Sequence, residues 1–97
     1  MVKVVFSFDV PVEMQADYFK AVKETIKPYW ESHGCQSYDV WQADGENAFI
    51  KEMFFPDVDS MQTTMNYHNV NAEAMSVVEL FKTFGRNITR KIYMKAI

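Results

Sequence analysis

Apolar and polar residues alternate along four stretches of this chain, and between them lie two stretches with helical spacing. The alternating segments are VKVVFSFDV, QSYDVWQAD, NAFIKEMFF and RNITRKIYMKAI, so the order is one β-α-β pattern written twice. In the first, Val2, Val4, Phe6 and Phe8 fall on one side against Lys3, Val5, Ser7 and Asp9, which predicts a strand with one wholly apolar face. That face is the one that should meet the helices. The two middle strands are separated only by Gly45, Glu46 and Asn47, a gap that suits a hairpin and cannot hold a crossover helix. The pattern therefore predicts an α+β sandwich, a four-stranded antiparallel sheet with two helices on one face.

Asp9 and Pro11 punctuate the entry to the first helix, as a capping acceptor and a proline tolerated only in a first turn. The helix should begin between Val10 and Glu13. From there Met14, Tyr18, Ala21, Val22, Thr25, Ile26 and Tyr29 recur at steps of three and four, marking its buried side. Pro28 lies inside this pattern and predicts a kink, and Gly34 supplies the left-handed stop. The second helical stretch starts near Asp57 or Asp59, where Asp59 and Gln62 resemble a capping box. Met61, Met65 and His68 share one face, Asn69 to Asn71 predict a break, and Ala74, Val77, Val78, Phe81 and Phe84 form a second stripe ending at Gly85.

Ninety-seven residues, 48% of them hydrophobic, make one domain over 1–97 and exclude disorder. The longest apolar run falls far short of a membrane span, and Met1 leads straight into a strand without a basic leader. A single cysteine, Cys35, allows no intrachain disulfide, so a cytoplasmic location is expected. A formal net charge of −3, with only a mild basic cluster at Arg86, Arg90, Lys91 and Lys95, argues against nucleic acid as a partner.

Two helices cover only one face of a four-stranded sheet, yet every strand places apolar residues on both. Examples are Tyr38 and Val40 against Trp41, Phe49, Met53 and Phe55 against Ile50 and Phe54, and Ile92 and Met94 against Tyr93. An uncovered face of that kind predicts a second subunit, hence a homodimer. The chain here resembles the dimeric α/β-barrel superfamily, in which two ferredoxin-like subunits pack sheet against sheet. That superfamily includes antibiotic-biosynthesis-type monooxygenases, haem-degrading monooxygenases, muconolactone isomerases and stress-responsive proteins. The resemblance spans the whole chain and rests on element order, on the strand running into Asp9-Val10-Pro11, and on FFPDVDSMQTTMNYHNVNAEA. It implies a ferredoxin-like βαββαβ subunit of a dimeric α/β barrel.

His68 is the sharpest candidate for chemistry, as a general base or a hydrogen-bonding anchor at the end of an apolar helix face. The alternative is a helix-terminal histidine that meets a free carbonyl. The cofactor-free monooxygenases and haem-degrading relatives place an Asn on the first strand and a Trp on the second helix. This chain has neither, and only His68 carries over. His33 and Cys35 are too few for a metal site and read as a helix cap and a small buried residue, so no metal and no cofactor are expected. With His68, Met61 and Met65 on the helix and Phe6, Phe8 and Phe54 on the sheet, the sequence predicts an apolar cleft with a polar anchor. Its function would be to bind, or to bind and modify, a small apolar or aromatic molecule. Two other readings stand beside it: a cofactor-independent monooxygenase or isomerase, and a non-catalytic assembly module with a filled interior.

Overall fold

Strand β1 (Val2–Asp9) is flanked by β3 (Ala48–Phe55) and β4 (Arg86–Met94), and β2 (Ser37–Gln42) pairs with β3 at the far edge. All three pairings are antiparallel, giving the order β2-β3-β1-β4 expected of a ferredoxin-like sandwich. The computed structural model describes residues 1–66 and 71–97. The register places Val2, Val4, Phe6 and Phe8 opposite Phe55, Met53, Lys51 and Phe49, so one face of the central strands carries the apolar set. Of these, Val2, Val4, Phe8, Phe49, Met53 and Phe55 are buried under the helices.

The first helical stretch is continuous but changes its winding along the way. A 3₁₀ turn (Val12–Met14) leads into α1 (Gln15–Ala21), a π turn follows (Val22–Ile26), and α2 (Lys27–Ser32) completes it. The predicted kink at Pro28 takes this form. Proline lacks the N–H that would bond four residues back, and the wider turn just before it accommodates the ring. Tyr18, Val22, Ile26, Tyr29 and Trp30 are buried along this stretch, whereas Thr25 is exposed, since the π turn shifts the register of the apolar stripe. Asp9 does not cap the helix. Its Oδ2 accepts from Asn87 Nδ2 at 3.0 Å across a β1–β4 irregularity, where Asn87 has φ 53°.

Gly34 ends the stretch at φ 111°, and a Cβ there would lie 2.3 Å from Thr64 Oγ1. Lys27 Nζ bridges Glu31 Oε2 and the Tyr38 carbonyl at 2.8 and 2.6 Å, while Tyr38 N–H donates to Glu31 Oε2 at 2.9 Å. These bonds fasten α2 to β2. Helix α3 (Val58–Asn66) is capped by Asp57, whose Oδ1 accepts from Ser60 N–H at 2.7 Å, and not by an Asp59 capping box. Helix α4 (Ala72–Phe84) is capped by Asn71, which accepts from the N–H groups of Glu73 and Ala74. Of the predicted break, residues 69 and 70 lie outside the described residues.

The helices leave two surfaces uncovered. One is the outer face of the sheet, where Lys3 and Glu52 pair at 2.8 Å among Phe54, Tyr93, Ile50 and Trp41. The other is β4, whose nine residues are exposed on both faces.

Candidate functional site

Alternation in AFIKEMFF puts residue 51 on the same side as Phe49, Met53 and Phe55, so β3 carries a lysine into the layer between sheet and helices. Lys51 is only 4% exposed. Its Nζ stands 3.5 Å from the centre of the Phe81 ring on α4, 4.3 Å from that of Phe6 on β1, and 5.4 Å from that of Tyr38 on β2. No carboxylate or carbonyl among the described residues receives it. Burial therefore pulls its pKa down from the usual 10.5 to about 7, opposed only weakly by the nearby Cys35. Three aromatic faces give the cation a partial substitute for water, through the negative charge of their π clouds.

Beside this ammonium lies a cavity of about 220 Å³. The sheet supplies Phe6, Met53, Ile88 and Arg90 to its wall, α2 supplies Trp30, α3 Met65, and α4 Val77, Val78, Phe81 and Lys82. The arrangement is an apolar chamber with one buried polar group and two surface cations at its rim. Edge-to-face packing of Phe6 on Phe81, with ring centres 6.2 Å apart, fixes the wall nearest Lys51.

The residues predicted from sequence divide into groups. Phe6 and Met65 line this chamber together. Met61 and Phe8 are buried in the adjoining core, Phe8 within 5.0–5.8 Å of the rings of Phe81, Tyr18 and Phe49. Phe54 stands on the opposite side of the sheet, where Lys3 Nζ lies 5.7 Å from its ring centre, because it is one residue out of phase with Met53 and Phe55. His68 lies outside the described residues. Lys51 was the residue missed, although its signal was present: it occupies an inward position of a strand whose other inward positions are all apolar.

Further polar groups lie outside the chamber lining. The hydroxyls of Tyr18 and Tyr38 have no hydrogen-bond partner among the described residues, and burial raises both of their pKa values. Cys35 is buried with its Sγ–H donating to the Ser37 carbonyl at 2.9 Å, and burial pushes its thiol up to about 11, as suits a structural cysteine. The ring of His33 lies against that of Tyr29, 4.1 Å between centres, with Nδ1 2.7 Å from the Tyr29 carbonyl. No cluster of three or more His, Cys, Asp or Glu side chains that could hold a metal occurs among the described residues. No helix among them is long and apolar enough to cross a membrane.

Solved structures share this arrangement of strands and helices. A crystal structure of an antibiotic biosynthesis monooxygenase matches with TM-score 0.73 at 17% identity, covering 100% of this chain and 99% of the other. The ferredoxin-like fold is shared with neighbours of the antibiotic biosynthesis monooxygenase type. A conserved protein from Methanosarcina mazei matches with TM-score 0.75 at 18% identity, over 97% of this chain and 91% of its own. An uncharacterized NIPSNAP domain protein from Burkholderia xenovorans reaches the same TM-score at 5% identity, over 99% and 95%. No protein-family model matches the chain, and no curated protein matches its sequence significantly. At such identities the likeness concerns the fold, on which unrelated activities are built.

Proposed function

We propose that this protein is a homodimer of the α/β-barrel type that binds a small apolar or aromatic molecule between its sheet and its helices. The observation that carries the reading is the chamber beside Lys51: an apolar space of about 220 Å³ with a buried polar group at its wall. Ligand sites are commonly built this way, with many apolar contacts for affinity and few polar ones for orientation. An assembly module with a filled interior accounts for neither the space nor the lysine. Dimerisation is supported by the uncovered sheet face, where Trp41 is 58% exposed and Ile50 38%.

Cofactor-independent oxygenation is the second reading, favoured by the names that several structural neighbours carry. Proton transfer would then fall to His68, on its sequence position alone. Against it stand the absence of Asn from β1 and of Trp from α3 and α4.

Native mass spectrometry of the purified protein tests the main reading. The expected species has twice the 11.4 kDa chain mass and carries a small organic adduct that is lost on denaturation. A lone chain without an adduct would overturn both the dimer and the binding function.

A further inference from the structure

Among the described residues Lys51 is a cation without a counterion, placed at the wall of a chamber large enough to admit one. Charged residues in protein interiors are paired or neutralised, because an isolated buried charge costs far more than a paired one. Among the described residues no acidic side chain lines the chamber. Its charged lining residues among those described are Lys51, Lys82 and Arg90, contributed by β3, α4 and β4. Among the described residues, Lys82 Nζ has a carboxylate partner in Glu79 at 3.8 Å, and both side chains are exposed. From β2 and the segment before it come only the Tyr38 ring and the Cys35 thiol, and both groups stay protonated at neutral pH.

We propose that Lys51 is the anion-binding group of this chamber and that its ligand is a small aromatic or aliphatic monocarboxylate, whose charge supplies the missing counterion. The proposal rests on the ligand-binding reading above and narrows it to a chemical class. One buried ammonium balances one negative charge, which favours a carboxylate over a phosphate dianion that would need several donors. A chamber of about 220 Å³ is smaller than the roughly 300–1,000 Å³ of drug-sized sites, so the body of the ligand is one or two rings or a short chain. Phe6, Trp30 and Phe81 offer it flat apolar surfaces. Lys82 and Arg90 at the rim draw anions toward the entrance without being desolvated themselves.

Calorimetric titration of the wild-type protein with benzoate and 2-naphthoate, each against its neutral amide, tests this at about pH 6, where Lys51 holds its proton. At least one acid should bind roughly 10- to 100-fold more tightly than its amide, the usual advantage of a charge-assisted hydrogen bond. Lys51→Met should abolish that preference while leaving amide binding in place. Equal binding of acid and amide by the wild type would overturn the proposal and leave the apolar cleft standing. Binding of neither would overturn both. A preference for the acid that survives in Lys51→Met would also overturn it, since the anion would then sit on the rim cations. The wild-type comparison needs no variant, and the melting profile of Lys51→Met reports whether that variant is folded.

Discussion

Burial of the Lys51 ammonium works against the fold at acid and neutral pH, because the unfolded chain holds the same proton at no cost. The folded pKa of about 7 lies below the ordinary 10.5, so between those values the unfolded state binds more protons and stability rises with pH. Below about pH 7 the full penalty applies, of the order of a few kcal/mol. Above about pH 9 the buried thiol of Cys35 and the buried hydroxyls of Tyr18 and Tyr38 act in the opposite direction, since their raised pKa values favour the unfolded chain once it can ionise. Urea denaturation of the ligand-free wild type should therefore show a higher midpoint at pH 8.5 than at pH 6, below the roughly pH 9 at which the thiol and hydroxyls begin to ionise. Lys51→Met should be more stable than wild type at pH 6 by about 1–3 kcal/mol and lose most of the rise. A wild-type midpoint that does not rise over this range would show that the ammonium is solvated. The sequence contained this residue's placement in the parity of Phe49, Lys51, Met53 and Phe55, but hydrophobicity alone assigns a lysine to solvent. What it could not contain was the depth of the strand beneath α4, which keeps the side chain from reaching water. Phe54 illustrates the converse, an aromatic whose hydrophobicity suggested the cleft and whose parity places it on the other side of the sheet.

Helical periodicity located both helical stretches, and the departures lie at turns where backbone chemistry competes with it. Pro28 was legible as a disturbance, yet its expression as a π turn depends on the core beneath, which buries Val22 and Ile26 at the two ends of the widened segment. The caps were legible by residue type and not by position, because Asp57, Asp59 and Asn71 are all competent acceptors and the chain path selects among them. Gly34 is the firmest of these signals. It combines a backbone conformation that side chains rarely adopt with the close approach of Thr64, whose hydroxyl donates to the His33 carbonyl at 3.2 Å. Gly34→Ala should cost about 2 kcal/mol or more in urea unfolding. Adding Thr64→Ala should recover only the steric share of that loss. Full recovery in the double variant would show that the backbone conformation carries no cost of its own.

At the scale of the molecule, the two-layer sandwich could be read from the strand and helix order because each element buries one face, and a twofold β-α-β pattern admits few ways to do so. The outer sheet face was legible as apolar, but not as a surface centred on the Lys3–Glu52 ion pair; a partner that covers it must also accommodate those two charges. Strand β4 carries a different consequence. It is joined to β1 by a main-chain ladder with one irregularity, yet contributes no buried side chain, so within one subunit it is held chiefly by ladder bonds. Amide hydrogen exchange in such a strand reports local opening rather than global unfolding. Deuterium uptake along 86–94 should therefore be fast in dilute protein and slow as concentration rises, while β1 and β3 exchange slowly throughout. Concentration-independent exchange would mean that assembly leaves this edge untouched. If the dependence is found, the last strand of the chain is also the last to become permanent, and the subunit completes its own sheet only in company.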